Sequence, residues 1–395
     1  MTSSEKKRYA NFFRKDLLTN ILPFWEEHAI DKTIGGYTEY LDRQGNLLSD
    51  EKGGWFLGRG TWIFSWVYNE IDKNPKWLEA AKWGATFLMK YGFDKDGRVF
   101  FRYKKDGTPI IKRRYLFAEV FATMALAEYS IACNDNTYLQ KAIKTEQVIC
   151  SFANRLEPKI LPSAYELQGH SMTMILINMY QILRKATGDE IWTKKINHQL
   201  ELLFKYFVKP QYKIILESVL PDGSLLDTPL GRTINPGHCI ETAWFLMEVA
   251  VFQNNAELLQ KATNILLWSI EWGWDKKYGG LFSFLDVKKL HPAPIEWDMK
   301  YWWPHCEMIY ATLLGLTLAD HYPNIAHLKS QLEKWFKKAF RYSYKKFPDK
   351  KYGEWFGYLR RDGSVALTYK GNHFKGPFHI PRMEGKALLL LEGKF

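Results

Sequence analysis

Apolar residues recur at helical spacing through most of the chain. Ile63, Val67 and Ile71 follow one another at every fourth residue, as on one face of an amphipathic helix. The same spacing recurs in two further sets: Phe117, Val120, Phe121 and Met124, and Ile240, Trp244, Met247 and Val251. Glycine and proline interrupt the helical stretches at 74–75, 187–189 and 322–323. The pattern predicts about twelve helices.

A short turn-like sequence is repeated along the chain. The clearest copies are DKTIGGY at 31–37, DKKYGGL at 275–281 and DKKYGEW at 349–355. Weaker copies begin at Asp94 and Pro221, and a sixth copy, without the glycine, stands at 161–167. The copies are roughly 55 to 75 residues apart, which indicates an irregular sixfold repeat with about two helices in each unit.

Six helical hairpins joined head to tail close into a ring in which one helix of each pair lies inside. We therefore predict an all-α fold, an (α/α)6 barrel that residues 1–395 form as a single domain. The repeated turns are expected to form short β-hairpin loops at one end of the ring. Side chains on these loops, or at the adjacent ends of inner helices, are then expected to converge on a central pocket.

Charge and aromatic content narrow the function classes. The net charge of +12 is spread along the chain without a clustered basic stripe, so nucleic-acid binding is not expected. Attraction of an anionic effector such as a nucleotide is compatible with this charge. Aromatic residues make up 16% of the chain, which suits both a large core and a pocket that stacks on the apolar faces of sugars.

The sequence shows no signal for a membrane or a secretory route. No segment reaches the roughly 20 apolar residues of a membrane span, and the N-terminus lacks the apolar stretch of a signal peptide. The cysteines have neither disulfide-like nor metal-like spacing; they are Cys133, Cys150, Cys239 and Cys306. A reduced, cytoplasmic compartment is the simplest interpretation.

Three histidines stand near the starts of apolar, helix-like runs. They are His238, His305 and His379, and each follows a Pro or Gly within two residues. Histidine titrates near neutral pH, so two or three that converge would form a proton-transfer site. The alternative for His238 is a helix start in which Glu241 serves as a capping partner.

Other residues are candidates for a polar pocket. Arg59, between two glycines and ahead of an aromatic run, is suited to holding an oxyanion or a sugar hydroxyl, although a surface salt bridge is the plainer interpretation. His170 begins another apolar run and is a weaker candidate for substrate contact. Trp303 precedes His305 and is expected to form a loop wall or to cap the core. No histidine pair has the spacing of a metal site, and we predict no metal.

Together the motifs resemble those of the N-acylglucosamine 2-epimerase family, from about residue 20 to the C-terminus. The segments that carry the resemblance are GGY at 35–37, LGR at 57–59, FAEVF at 117–121, NPGHCIE at 235–241, WWPHCE at 302–307, GEWFGYL at 353–359 and KGPFHIPR at 375–382. They are ordered along the chain and several residues long. The family's (α/α)6 barrel agrees with the repeat count.

The resemblance implies reversible conversion of N-acetyl-D-glucosamine to N-acetyl-D-mannosamine at C2, through an enolate-type intermediate. It implies that His238 and His379 are the acid/base pair. It also implies an arginine and two glutamates in the pocket, matched by Arg59, Glu241 and Glu307, of which we assign Arg59 and Glu307 to the catalytic group. We assign Glu241, His305, Trp303 and His170 to substrate binding. We expect no consumed cofactor, ATP as a possible allosteric activator, and a homodimer.

Three alternatives stay open at this point. An aldose-ketose isomerase or a cellobiose-type 2-epimerase would use the same proton abstraction on the same barrel. A non-catalytic protein-binding role is a different class, against which the intact set of histidines, arginine and glutamates argues. A glycoside hydrolase would need a pair of carboxyl groups across the scissile bond.

Overall fold

The structure is a computed structural model that describes residues 1–113, 115–152 and 166–394. The helices in these ranges are α1 Ser3–Asp16, α2 Leu22–His28, α3 Gly54–Glu70, α4 Pro75–Tyr91, α5 Phe117–Cys133, α6 Asn136–Phe152, α7 His170–Thr187, α8 Ile191–Leu202, α9 Pro236–Phe252, α10 Ala256–Gly273, α11 Trp302–Leu318, α12 Pro323–Ala326, α13 Lys329–Lys346 and α14 His379–Leu391. Two π-helical segments, Leu17–Ile21 and Leu203–Phe207, directly follow α1 and α8.

The helices form two concentric layers. In the inner layer α3, α5, α7, α9, α11 and α14 each contact the next, and α14 contacts α3 to close the ring. Each inner helix packs on an outer one: the outer helices are α4, α6, α8, α10, α13 and, against α14, α1. The predicted (α/α)6 barrel is confirmed.

The sequence determines which helices lie inside. Inner helix α11 is buried along nearly its whole length, because almost every one of its positions is apolar. Outer helix α13 buries one narrow face, formed by Leu332, Phe336, Ala339 and Ser343, at the spacing of an amphipathic helix. A helix that is apolar on all sides is stable only where neighbours cover it on all sides, and the inner ring supplies those neighbours.

Short antiparallel strands stand before the inner helices. The strands are β1 Tyr40–Leu41, β2 Leu47–Ser49, β3 Lys52–Gly53, β4 Arg102–Tyr103, β5 Pro109–Ile111, β6 Gln168–Gly169, β7 Val208–Lys209, β8 Ile214–Ile215, β9 Ser218–Val219, β10 Thr233–Ile234, β11 Leu285–Asp286, β12 Lys300–Tyr301, β13 Tyr358–Leu359 and β14 Val365–Leu367. They pair as β1-β2, β3-β4-β5, β6-β9, β7-β8, β10-β11 and β12-β13-β14. Strands β3, β6 and β12 run directly into α3, α7 and α11, so the sheets mark the N-terminal end of the inner ring.

The three clearest sequence repeats fold into the same turn. In each turn the N–H of a glycine donates to the carbonyl of the aspartate four residues before it, at 2.9 Å: Gly35 to Asp31, Gly279 to Asp275 and Gly353 to Asp349. Each aspartate carboxylate also forms an ion pair with a fully buried lysine: Asp31 with Lys52 at 2.8 Å, and Asp275 with Lys300 and Asp349 with Lys370, both at 3.1 Å. The sixth predicted copy lies largely outside the described residues, since 161–165 are not among them.

The buried ion pair of the first turn yields a stability prediction. Lys52→Met leaves the Asp31 carboxylate without its cation, which we expect to lower the free energy of unfolding by about 3 kcal/mol. Urea unfolding followed by circular dichroism measures the change. Lys32→Met is the matched control. Lys32 stands in the same turn, but its side chain is exposed and its Nζ lies 4.0 Å from the Glu26 carboxylate, at the outer limit of an ion pair. Equal effects of the two substitutions would contradict the prediction.

In the described part of the chain, no helix combines the length and the apolar character needed to cross a bilayer.

Candidate active site

A cavity of about 780 Å³ opens at the sheet end of the ring. The first turns of all six inner helices line it, through Trp55 and Arg59 of α3, Phe117 and Phe121 of α5, Ser171 and Met174 of α7, His238 and Glu241 of α9, Trp302 and Trp303 of α11, and His379 of α14. Helix N-termini carry partial positive charge. Their convergence favours negative charge that develops on a bound molecule.

His238 is presented to this cavity by the start of α9. Pro236 opens the helix, and the side chain of Asn235 caps it by accepting the His238 N–H at 3.2 Å. The Nδ1 atom of His238 lies 2.8 Å from Oε1 of Glu217. A carboxylate only accepts hydrogen bonds, so Nδ1 carries the proton in this hydrogen bond. The side chain is 26% exposed, within the cavity.

Glu217 is the partner that sequence reasoning missed. It lies in the loop between β8 and β9 and lines the cavity. Burial raises the pKa of its carboxyl, but His238 and His170 outweigh burial and hold that pKa below its ordinary value. Glu217 is therefore ionised at neutral pH. No motif surrounds it in the sequence, where it stands within the run ILESVL at 215–220.

His379 is the first residue of α14 and is buried. Its Nδ1 atom lies 2.7 Å from Oε1 of Glu307, so this histidine also has its own carboxylate. Burial lowers the pKa of His379 well below its ordinary value, and the nearby charges of Arg382 and Arg59 lower it further. His379 is neutral at pH 7, with a proton on Nδ1 and a lone pair on Nε2.

Arg382 joins the two predicted glutamates, and sequence reasoning did not select it for the site. One terminal nitrogen donates to Glu241 at 2.6 Å and to Glu307 at 2.7 Å. Burial lowers the pKa of Arg382, but the two carboxylates outweigh burial and raise it above its ordinary value. The other oxygen of Glu307 accepts the indole N–H of Trp244 at 2.7 Å. The available signal was spacing, since Arg382 follows His379 by one helical turn.

The same groups bear on the question of a metal. Glu241, Glu307 and His379 offer ligand atoms that lie within 4.8 Å of one another. The guanidinium of Arg382 already bridges the two carboxylates and supplies the positive charge that a cation would bring. This arrangement favours an ion-pair network over a metal site.

Arg59 reaches the cavity from α3. Its guanidinium carbon lies 4.3 Å from the ring centroid of Phe121 and 5.1 Å from that of Phe378, and one terminal nitrogen donates to the Phe374 carbonyl at 3.2 Å. Burial lowers the pKa of Arg59 to about 10, so it stays charged at neutral pH. Its Nε atom is buried and has no hydrogen-bond partner within the described residues, which leaves a donor for a ligand.

Trp303 connects the two histidines. Its ring centroid lies 5.2 Å from that of His238 and 5.7 Å from that of His379. The indole lines the cavity, as the sequence predicted for a wall residue. It limits how both imidazoles can rotate.

The structure does not bring His305 into the cavity. The ring is fully buried in the wall, where Nδ1 donates to the Tyr301 carbonyl at 2.6 Å and Nε2 accepts the Leu281 N–H at 2.9 Å. Burial lowers its pKa to about 3, so it is neutral. With both ring nitrogens occupied by backbone groups, His305 has none left for a substrate.

His170 lies one layer behind the cavity. It is fully buried, with Nε2 3.0 Å from the hydroxyl of Thr242 and Nδ1 3.7 Å from the carboxylate of Glu217. Direct substrate contact is therefore not what its position supports. Its neighbour Ser171 lines the cavity instead.

The chain is similar in sequence to known proteins. The family profile described as N-acylglucosamine 2-epimerase (GlcNAc 2-epimerase) matches residues 35–379. The N-acylglucosamine 2-epimerase of Bos taurus is 34% identical over 384 residues, which cover 92% of this chain and 87% of the relative. The cellobiose 2-epimerase of Dictyoglomus turgidum is 27% identical over 396 residues and covers 93% and 95% of the two chains.

A solved structure shares the whole architecture. The cellobiose 2-epimerase of Bacillus thermoamylovorans superposes with a TM-score of 0.82, covering 97% of this chain and 99% of the other. The sequence identity over the superposition is 21%, so this likeness concerns the fold.

Proposed function

The chain belongs to the N-acylglucosamine 2-epimerase family and is an epimerase, and from this premise we propose that it interconverts N-acetyl-D-glucosamine and N-acetyl-D-mannosamine. One observation carries the proposal: two histidines line one cavity, and each is held at Nδ1 by its own glutamate. Inversion at a carbon needs a base and an acid that exchange roles in the reverse direction, and two such histidines meet this need.

The reaction starts from the open-chain sugar, whose C1 carbonyl acidifies the C2 proton. In this proposal Nε2 of one histidine removes that proton, and Nε2 of the other returns a proton from the opposite face. The intermediate bears negative charge on the carbonyl oxygen. Arg59 and the convergent helix N-termini stabilise this charge, because they are held in place before the reaction begins.

The amino-sugar substrate is supported by the comparisons. Identity to the bovine N-acylglucosamine 2-epimerase is 34%, against 27% for the cellobiose 2-epimerase. The aromatic lining of the cavity, with Trp55, Phe117 and Trp303 among its members, offers apolar faces for a sugar ring and an acyl group. A cellobiose-type 2-epimerase or an aldose-ketose isomerase is the alternative on the same barrel.

Glycoside hydrolysis is less well supported by the same geometry. A hydrolase needs a protonated carboxylic acid beside the scissile bond. Glu241 and Glu307 both accept hydrogen bonds from Arg382, and Glu217 accepts from His238. All three carboxylates are therefore engaged as hydrogen-bond acceptors of arginine or histidine.

The proposal is tested by proton NMR of N-acetylglucosamine in D₂O with the enzyme. We expect N-acetylmannosamine that carries deuterium at C2, because the histidine proton exchanges with solvent before it is returned. Folded protein that yields neither product nor exchange would contradict the proposal. Parallel tubes with mannose and cellobiose then identify the alternative substrate classes.

Assembly, regulation and location complete the proposal. We propose a homodimer in the cytoplasm with ATP as an allosteric activator that is not consumed, and with no nucleic-acid or membrane partner. All four cysteines are unpaired, which suits a reducing compartment. Light scattering after size exclusion tests the dimer, and initial rates with and without ATP test the effector.

A further inference from the structure

We propose that Glu217 is a positioning residue for His238, and that the backbone of His170 helps to hold the loop that carries Glu217 in place. The inference rests on the proposed function, since it concerns how one of the two acid/base histidines is prepared. Glu217 would act through His238 and not on the sugar itself.

The backbone of Glu217 is fixed from two sides. Its N–H donates to the Thr233 carbonyl at 3.3 Å, and its carbonyl accepts the His170 N–H at 3.0 Å. Thr233 belongs to β10, which leads through Asn235 into the helix that begins beside His238. Backbone hydrogen bonds therefore connect the loop that carries Glu217 to the strand that precedes the helix of His238.

The side chains form a chain of contacts behind His238. Glu217 accepts from Nδ1 of His238 at 2.8 Å, and Nδ1 of His170 lies 3.7 Å from the same carboxylate oxygen, beyond hydrogen-bond distance. Nε2 of His170 contacts the hydroxyl of Thr242 at 3.0 Å, and that hydroxyl donates to the backbone carbonyl of His238 at 2.8 Å. The hydrogen bond to Glu217 holds one His238 tautomer, with the proton on Nδ1.

The two histidines have unlike carboxylates. Glu307 shares its charge among His379, Arg382 and the indole of Trp244. Within the described residues, no lysine or arginine pairs with Glu217, so its charge acts mainly on His238. The Glu217 carboxylate therefore stabilises the positive charge that forms when His238 takes up a proton.

The test is the substitution Glu217→Gln, which keeps the shape and removes the charge. We expect kcat to fall by about 10²–10⁴, as when the carboxylate that orients a catalytic imidazole becomes an amide, with KM little changed. A residue that held the sugar would instead raise KM. Glu201→Gln is the matched control, because it removes a carboxylate 3.9 Å from the exposed His198.

The pH dependence separates a charge effect from a general loss of structure. Within the described residues, the titratable groups that interact with His238 include Glu217, His170 and His379, and Glu241 lies one helical turn further along α9. Loss of the Glu217 charge makes the imidazolium easier to deprotonate, so the limb of the pH–rate profile that reports this deprotonation moves to lower pH in Glu217→Gln. In Glu217→Ala, formate is expected to restore part of the lost rate, because it returns a carboxylate to the vacated space.

A second readout does not depend on the sugar. In wild-type protein, ¹⁵N NMR of the His238 ring is expected to show the proton on Nδ1, and Glu217→Gln is expected to shift this tautomer balance. An unchanged tautomer, with kcat within about threefold of wild type, overturns the positioning role. If wild type leaves N-acetylglucosamine unchanged while the NMR signal responds to Glu217→Gln, the substrate proposal fails and the positioning role stands.

Discussion

His379→Asn is expected to abolish epimerisation, with a fall in rate of about 10²–10⁴ for the loss of one positioned acid/base group. His238→Asn is expected to do the same. Each variant keeps one base, and Arg59 still stabilises the intermediate. Each should therefore exchange the C2 proton of one epimer with D₂O and leave the other epimer untouched. NMR of the two pure epimers, followed separately, measures this pattern.

The electrostatics of the site set the pH at which His379 acts. Burial lowers its pKa, and the positive charges of Arg382 and Arg59 lower it further, so His379 stays neutral well below neutral pH. The acidic limb of the pH–rate profile, which reports protonation of this base, should therefore lie below the ordinary range of histidine.

For the two histidine substitutions, His198→Asn on the exposed face of α8 is the control. Near-normal turnover by either active-site variant would remove that residue from the mechanism.

The fold could be predicted because its signals are local. Helical periodicity distinguishes the inner helix α11, apolar all round, from the outer helix α13, apolar on one face. The repeated turns were visible as sequence because each needs an aspartate and a glycine at fixed spacing. Gly35, for example, has φ of +96°, a conformation that favours glycine. The buried lysines that complete the turns, such as Lys52, lie on a later strand and leave no local pattern.

The site could be predicted only in part because side-chain direction depends on helical phase. Glu241 and Glu307 are each the sixth residue of their helices, α9 and α11, and both bind Arg382. His238 is the third residue of α9, whereas His305 is the fourth residue of α11. One residue turns a side chain by about 100° around the helix axis. The two similar segments therefore direct one imidazole into the cavity and the other into the wall.

The partner of His238 was beyond local reasoning for a different reason. Glu217 reaches the site from a loop in the preceding repeat, and its contact with His238 exists only once β10 and α9 have docked against that loop. An apolar run around a lone glutamate signals burial but does not identify the group that neutralises it. A buried charge requires such a partner, so the sequence implied a contact without naming the residue.

Arg382→Met is expected to lower the free energy of unfolding by about 3–5 kcal/mol and to abolish activity. The substitution removes the cation that lies between two buried carboxylates, Glu241 and Glu307. It also frees Glu307, to which His379 is hydrogen-bonded, from its ion pair. Urea unfolding measures the loss. Arg14→Met is the control, because its ion pair with Glu392 is at the surface and is expected to be worth less than about 1 kcal/mol.

A second substitution separates uncompensated charge from lost packing. In Arg382→Met the stability should rise as the pH is lowered, because protonation neutralises carboxyl groups that have lost their cation. Adding Glu241→Gln removes one of these charges, so the double variant should regain part of the stability at neutral pH while turnover stays absent. Recovery of stability without recovery of activity would show that Arg382 both balances the buried charge and orients Glu307 against His379. A double variant as unstable as Arg382→Met would mean that the arginine acts mainly by filling space beside Trp244.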